Sequence, residues 1–510
     1  MSIGTNYGLC GVCRRSVPAE HVVREEKVYL KKICDSCGTN ESLVSSSAKR
    51  WRKKREICHY DESQPISCGL ECDSCDHEHE PRMVFIDVTN RCNMKCPICI
   101  ANVSSMGFEF NSPLEYFDEL FRDLSSIIPE QAAINLFGGE PTVRDDLFDI
   151  IELGRRHDLD IRIVTNGLRL ADEDYCRRLC DARVPLLFAF DGLDPSIYER
   201  MRKNQGAYAK KRQALENLKK YSTKKHTIMC CIARNINDEH MRALIDFSHE
   251  NRDFIKCVHL IPLTETWEEG EFEHDVSTTI EDAEEIIDRA FPEETVEFVP
   301  FGLQESLVPL MRFFGSAKFR WKGVHPNCES ITYLVSDGNG YKPLAFYLKR
   351  PLDDIVEEIC RLSKQLSPKL DSLDPDNKLD LALGRWHIAR AFTRPLLRSL
   401  KLGAIFEDAR PKTVPRIIGE LLRGRSLQEV LSSHSSVKGL MYMVVLPFEE
   451  HHSLESARLK RCLSAFAYAD PKSGEVRTIP ACIWQEYKNP ILRSIAEKYS
   501  SAPRRRAASS

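Results

Sequence analysis

Three cysteines within eight residues, Cys92, Cys96 and Cys99, stand as C-x3-C-x2-C in VFIDVTNRCNMKCPICI, residues 84–100. They are too close together to be three independent core residues. Thiolate is the ligand that iron–sulfur clusters take, so this loop can fold around one cluster. Four cysteines would saturate a [4Fe-4S] cluster. Three leave one iron open, and an open iron can bind a substrate or cofactor and do chemistry there. The competing readings are a closed zinc site or buried free thiols. Zinc usually takes four ligands in pairs, and three thiols on one tight loop are a redox liability.

Two further sets precede this loop. Cys10-x2-Cys13 and Cys34-x2-Cys37 flank the short, strand-rich HVVREEKVYLKKI. Two such knuckles dispose four thiolates around one metal, as in a zinc ribbon or a rubredoxin. Ligand type does not decide between zinc and a single iron. The expected role is a structural staple for a small domain without a core. Cys58, Cys68, Cys72 and Cys75 follow as C-x9-C-x3-C-x2-C. This pattern suits a second, fully ligated iron–sulfur cluster, with a second zinc site as the alternative. Its last three cysteines repeat the spacing of the 92–99 loop, but only that loop follows a convincing strand.

The elements that must position these groups are legible as a series. The apolar strand VFIDVT leads into the cysteine loop, and AINLFGGEPTV ends in Gly138-Gly139-Glu140-Pro141. IRIVTNG, LLFAFDGL, HTIMCCIAR and KCVHLIPLTE continue the pattern, giving six strands between 84 and 265. Amphipathic stretches such as SPLEYFDELFRDLSSII lie between them. Strands alternating with helical patterns predict an α/β fold with a parallel sheet of βα units. Cys176, Cys180, Cys230, Cys231 and Cys257 fall inside these apolar patterns and read as core residues. Beyond the series, residues 320–348 read as a hairpin about DGNG. Residues 352–434 read as helices, including LALGRWHIARAF and RIIGELLRG, and 437–483 as β-rich.

Composition sets the outer limits. The chain has 510 residues, 42% hydrophobic and 29% charged, with a formal net charge of −4. That is an ordinary globular balance with no global case for nucleic acid. KRWRKKR at 49–55 reads as a solvated helix face or linker at this net charge. The 20 cysteines are the anomaly. Without a basic stretch followed by an apolar one at the start, they point to metal ligation in a reducing cytoplasm rather than to disulfides. No run of 18 apolar residues exists, so no transmembrane segment is expected.

The cysteine loop at the end of a first strand, with GGEP about fifty residues downstream, resembles the radical S-adenosylmethionine (SAM) superfamily. The resemblance implies a partial (βα)6 barrel whose open iron chelates the amino and carboxylate groups of SAM. An electron from the cluster then cleaves the S–C5′ bond to give a 5′-deoxyadenosyl radical. It also implies that the turn Gly138, Gly139, Glu140, Pro141 lies against the SAM amino group. Polar residues at strand C-termini line the active sites of barrels, which makes Asn166 and Asp191 candidates for contacts to the SAM carboxylate or ribose. Plain Asn-Gly and Asp-Gly turn chemistry explains them equally well.

The ordered set of ribbon, second cysteine site, CNMKCPIC, GGEPT, HPNC, RLKRC and IPAC is similar to one branch of that superfamily. It contains archaeal tetraether lipid synthase and relatives, some methylase-like. The resemblance implies a zinc or mononuclear iron in the ribbon at 1–48, a second cysteine region at 49–82 and the partial barrel at 83–300. It further implies a SPASM-like α+β auxiliary domain at 301–500, before a disordered tail at 501–510. Auxiliary [4Fe-4S] clusters are implied too, with Cys328, Cys462 and Cys482 as candidate ligands of one. A fourth ligand is not apparent, since Cys360 faces the apolar side of DDIVEEICRL. The implied activity is hydrogen abstraction from an unactivated C–H, for C–C bond formation on a lipid or other apolar substrate. Methyl transfer to a small molecule is the alternative. A flavodoxin or ferredoxin would supply electrons, and the protein would be cytoplasmic or peripheral at a membrane. One stretch departs from the branch: VVLPFEEHHSLES replaces the aromatic and acidic segment expected before RLKRC, which bears on the substrate. A zinc-ribbon nucleic-acid-binding protein would explain residues 10–55 and leave the rest without a role.

Overall fold

The computed structural model describes residues 6–500, except 62–65, 67, 74, 76–79, 130–131, 268–270, 275, 315–323, 407–419, 421–429, 431–432 and 434. The tail expected at 501–510 and the RIIGELLRG helix, Glu420 apart, lie outside the described residues. The chain opens with four antiparallel strands in sequence order, β1 (Asn6–Leu9), β2 (Ser16–Arg24), β3 (Lys27–Cys34) and β4 (Gly38–Ser45). Along β3 every second residue is buried, Val28, Leu30, Lys32 and Cys34, as the period of a strand requires. The apolar cluster between its knuckles is only Cys10, Val17 and Cys34 with Cys13 and Cys37 against them. So small a core needs the metal as a staple.

Helix α1 (Ala48–Ile57) carries KRWRKKR, and here the structure corrects the sequence reading. Lys49 and Arg52 lie on an exposed face as expected, but the other face of the basic stretch is turned inward. Lys54 is buried between Glu281 (2.8 Å) and Glu284 (2.7 Å), Arg50 reaches Glu284 at 3.3 Å, and Arg55 donates to Asn327 at 2.7 Å. These charges are spent inside the protein.

The central sheet follows the expected series. It alternates β5 (Met83–Thr89), α2 (Leu114–Ile127), β6 (Ala133–Gly138), α3 (Leu147–Arg156), β7 (Asp160–Thr165) and α4 (Glu173–Asp181). Next come β8 (Leu186–Ala189), α5 (Pro195–Arg202), α6 (Gly206–Tyr221), β9 (His226–Ile232), α7 (Met241–Glu250) and β10 (Ile255–Pro262). The six strands are parallel and neighbours in sequence order. β5 is buried along nearly its whole length, as expected where helices cover a parallel sheet. Helix α2 turns Tyr116, Phe117, Leu120, Phe121 and Leu124 inward, each worth about 1.5–3 kcal/mol of burial.

Later elements extend the same sheet rather than starting another. After α8 (Ile280–Arg289) come β11 (Val299–Pro300), α9 (Gln304–Met311), β12 (Ser330–Ser336) and β13 (Tyr341–Pro343). They are followed by α10 (Leu352–Leu370), α11 (Lys378–Ser399) and β14 (Gly439–Val445). β14 lies parallel to β10, and β12 antiparallel beyond it. At the opposite edge β15 (Ser464–Ala469) lies parallel to β5, with β16 (Val476–Pro480) antiparallel outside it. The expected hairpin about DGNG is the β12–β13 pair. Among the described residues the row does not close into a barrel, and no helix is long and apolar enough to cross a membrane. The last described element is a helix, Trp484–Ser500, which packs through Trp484 on Phe466 and Asp87 and through Tyr499 on Tyr116.

Candidate active site

The loop carrying Cys92, Cys96 and Cys99 is held at both ends by backbone. At its start the β5–β6 register shifts between Asp87 and Thr89, a bulge that re-aims the chain. Gly139 N–H then donates to Thr89 O at 2.7 Å and Glu140 N–H to Arg91 O at 2.9 Å. A Cβ on Gly138 (φ +129°) would lie 2.1 Å from Thr89 O, and one on Gly139 2.2 Å from Arg91 O. The two glycines are therefore required by the approach of β6 to the cysteine loop itself. At the other end, Gln485 and Lys488 of the C-terminal helix donate to the carbonyls of Ile100 and Ala101. The three thiols are half-buried and near enough to feel one another's charge, but their sulfurs are not gathered within 4.8 Å of one another as the ribbon's are. Burial pushes Cys92 up to about 12, with Glu140, Cys99 and Cys96 adding to it, and burial likewise raises Cys96. Three soft donors on one loop fit an iron–sulfur cluster, which on binding must displace those protons.

Glu140 is fully engaged. Its carboxylate, 1% exposed, accepts from Thr142 N (3.1 Å), Thr142 Oγ1 (2.6 Å), Thr165 Oγ1 (2.7 Å) and Asn166 N (2.6 Å). It ties the end of β6 to the end of β7. Asn166 faces the cysteine loop, donating through Nδ2 to Asn93 Oδ1 at 2.7 Å, with Cys92 Sγ at 3.9 Å. Asp191 is buried, and both its oxygens are taken by Arg202 at 2.9 Å, with Cys231 N–H also on Oδ1 at 3.1 Å. Burial opposes its ionisation, yet Arg202 holds the carboxyl below its ordinary range. Lys211, also buried, donates to the carbonyls of Asn166 (2.5 Å) and Ala189 (2.6 Å), and burial pushes it down to about 8. Arg202 and Cys231 both act on Cys96 or feel its charge.

Sequence reading did not single out Arg202 or Lys211, and took Cys231 for plain core. Arg202 and Lys211 lie on α5 and α6, inside patterns no different from any exposed basic helix. The only sequence signal is that Lys211 falls among buried Ala207, Ala214 and Leu215 at helical spacing.

The ribbon site is closed. The sulfurs of Cys10, Cys13, Cys34 and Cys37 lie within 4.8 Å of one another, and Cys13 and Cys34 are 3.8 Å apart. Four sulfurs at about 2.3 Å from one metal in a tetrahedron would be about 3.8 Å apart. The Arg15 guanidinium, hydrogen-bonded to Cys13, pulls that thiol down to about 6, which favours the thiolate.

The remaining candidate ligands fall into two trios and a single residue, Cys58. Cys68, Cys72 and Cys75 neighbour one another. Burial pushes Cys72 up to about 12, and Cys68 and Cys75 raise it further. Their loop is fastened to the C-terminal helix by Tyr487, whose hydroxyl donates to Leu70 O at 2.6 Å and accepts from Cys72 N at 3.2 Å. Cys58 stands apart, against Gly302 and near Cys360. Cys360 itself is buried on α10. Cys328, Cys462 and Cys482 are brought together from three distant stretches. Cys482 is raised by its hydrogen bond with Cys462 and by burial, and Cys328 by burial. Beside them lies the buried pair Glu449–Arg458 at 3.0 Å.

A cavity of about 290 Å³ lies between Ile100, Asn102 and Ser105, just past the cysteine loop, and Cys482; Cys92, Cys96 and Cys99 do not line it. Phe85 and Phe466 stack at 5.3 Å, and Phe137 meets both edge-on. These three rings line it from β5, β6 and β15. Opposite them are Glu449 and Glu450. Glu449 is paired with Arg458 at 3.0 Å and feels a backbone hydrogen bond from Glu455, yet burial holds its carboxyl well above the ordinary range. The cavity thus sets an aromatic wall against two glutamates, of which Glu450 already accepts from Glu265 N at 3.2 Å and Ser453 Oγ at 3.1 Å.

A sequence model of the radical SAM superfamily matches residues 86–248, and one of the HMPTM N-terminal zinc ribbon domain matches residues 3–46. The 7,8-dihydro-6-hydroxymethylpterin dimethyltransferase of Methanocaldococcus jannaschii is 25% identical over 518 residues, covering 96% of this chain and 94% of that one. The GTP 3′,8-cyclase of Nautilia profundicola is 28% identical over 169 residues, 32% of this chain and 52% of that one. The solved structure of native anSMEcpe with bound AdoMet has a TM-score of 0.35 at 22% identity, over 44% of this chain and 61% of that one.

Proposed function

We propose that this chain, whose residues 86–248 match the radical SAM superfamily, is a radical SAM enzyme that methylates a reduced pterin or a close planar relative. The observation that carries the reading is the end-to-end likeness to the dimethyltransferase, which spans ribbon, barrel and C-terminal region. The cavity supports it: its volume and its pairing of aromatic rings with buried carboxylates suit a flat heterocycle better than a lipid chain. C–C coupling on lipids has no such support here.

When bound, a [4Fe-4S] cluster on Cys92, Cys96 and Cys99, together with SAM, supplies hydrogen-atom abstraction from an unactivated C–H. The chain's own residues prepare the site. Asn166 offers its amide beside the loop for the SAM carboxylate or ribose, and the Gly138–Pro141 turn offers backbone. Asp191 fixes Arg202, and with Lys211 that guanidinium sets positive charge beside the thiolates. Phe85, Phe137 and Phe466 give the substrate an apolar wall and exclude water, while Glu449 and Glu450 meet its N–H groups. The trios Cys68, Cys72, Cys75 and Cys328, Cys462, Cys482 would hold auxiliary clusters, and the ribbon a zinc or a single iron.

The test is anaerobic incubation of reconstituted enzyme with SAM, a low-potential reductant and 7,8-dihydro-6-hydroxymethylpterin. The expected result is pterin gaining one or two methyl groups with 5′-deoxyadenosine formed, and neither product from Cys92→Ala, Cys96→Ala or Cys99→Ala, each with its ribbon metal intact. Deoxyadenosine without pterin methylation would sink the pterin reading. A Cys92→Ala enzyme that still makes deoxyadenosine would remove the cluster assignment.

A further inference from the structure

The two knuckles of the ribbon differ in sequence, Gly11 and Val12 standing between the cysteines of the first and Asp35 and Ser36 in the second, but they turn the chain alike. In each, the residue after the second cysteine turns the chain back through left-handed backbone. In the second knuckle this is Gly38, at φ +80°, with nothing within 4 Å of where a Cβ would stand. In the first it is Arg14, at φ +55°, its N–H donating to Cys10 O at 2.9 Å. Left-handed backbone strains an L-residue but not glycine. Such strain persists only where the surroundings impose it, and it gathers at ligand sites. Glycine is the unstrained choice at this position, and the chain carries an arginine.

The Arg14 side chain leaves the ribbon altogether. Its Nη1 reaches Glu486 on the C-terminal helix, at 2.9 Å from Oε1 and 3.2 Å from Oε2. There it forms part of the wall of the cavity between Ile100 and Cys482, near His451. Its Nε and Nη2 make no hydrogen bond among the described residues. The ribbon is also seated on the segment 449–456, which carries further lining residues of that cavity. Lys32 donates to the carbonyl of His452, Asn6 donates to Glu455 at 2.7 Å, and His21 pairs with Glu455 at 3.0 Å.

We infer that Arg14 is a substrate-contacting residue and that the metal ribbon is a component of the substrate site. The metal fixes Cys10 and Cys13, the knuckle fixes the Arg14 backbone, and Glu486 aims the guanidinium. Its remaining N–H groups then meet an acceptor oxygen of a ring seated on Phe85, Phe137 and Phe466. This rests on the reading of that cavity as the site of a reduced pterin.

Arg14→Gly separates the two roles, because it relieves the backbone and removes the side chain. Arg14→Asn, which tolerates left-handed backbone but cannot reach the cavity, is the second variant. Holoenzyme is titrated with 7,8-dihydro-6-hydroxymethylpterin, and KM and kcat are measured beside ribbon metal content and thermal midpoint. Both variants are expected to keep the metal, and Arg14→Gly to melt no lower than wild type. Both should raise Kd and KM about ten-fold, with a smaller effect on kcat, and Arg14→Lys should recover part of the loss. Wild-type affinity in Arg14→Gly and Arg14→Asn would overturn the inference and leave the pterin reading standing. That reading is tested by the wild-type product, whereas the ratio of variant to wild type tests Arg14.

Discussion

At Gly138 and Gly139 a single methyl group would meet the carbonyl oxygens of Thr89 and Arg91 at just over 2 Å, well inside any tolerable contact. The neighbours are backbone, fixed in their turn by the β5–β6 ladder, so they cannot step aside. Gly139→Ala is therefore expected to destabilise the protein by roughly 3 kcal/mol or more. It should empty the 92–99 loop of iron while the ribbon keeps its metal. Normal iron content in Gly139→Ala would show that the turn does not position the loop. The sequence made this turn legible as a motif, because two glycines before Glu-Pro at the end of an apolar strand are unusual. It could not reveal that Glu140 is consumed by four donors from Thr142, Thr165 and Asn166. Nor could it reveal that Asp191 belongs to Arg202. Both facts depend on which strand ends meet, and no spacing in the chain encodes that.

Elements were the most legible level, since six apolar strands separated by amphipathic stretches leave little choice of fold. What composition could not place were charges whose partners lie far along the chain. Helix α1 looks solvated on its own, and only its packing against α8 shows Lys54 paired with Glu281 and Glu284. His226 is a similar case at the start of β9. It is 3% exposed, accepts from Leu186 N–H through Nδ1 at 3.1 Å, and lies 2.7 Å from Ser222 Oγ through Nε2. The neutral ring thus fastens β8 to the end of α6, and burial pushes its pKa down from 6.5 to about 4. Between those values the unfolded chain binds the proton and the folded one does not, so stability falls as pH falls. The loss is expected to reach about 2 kcal/mol between pH 6.5 and 5. Denaturant midpoints of wild type and His226→Gln over that range isolate this share of the acid limb. Parallel pH dependences for the two proteins would rule it out.

Over the whole molecule, the two ends of the chain are built into one site. β15 pairs with β5, the C-terminal helix pins the loops at 70–72 and 100–101, and the ribbon lies on residues 449–456. That closure is invisible to any local pattern, and only the resemblance, not spacing, grouped the cysteines at 328, 462 and 482. It also means that the ribbon cannot be lost without consequence elsewhere. Its own apolar core is three residues, so removing the metal should unfold it. Glu455 would then lose Asn6 and His21, and the carbonyl of His452 would lose Lys32. The segment carrying Glu449 and Glu450 would be left without its cover on that side. Mild chelation of the ribbon metal is therefore expected to raise amide exchange in 449–456 sharply, with strands β6 to β10 still protected. If exchange rose only within residues 6–45, the ribbon would be an appendage. If it rose in both places together, the N-terminal metal would be a support of the cavity wall, more than 400 residues away along the chain.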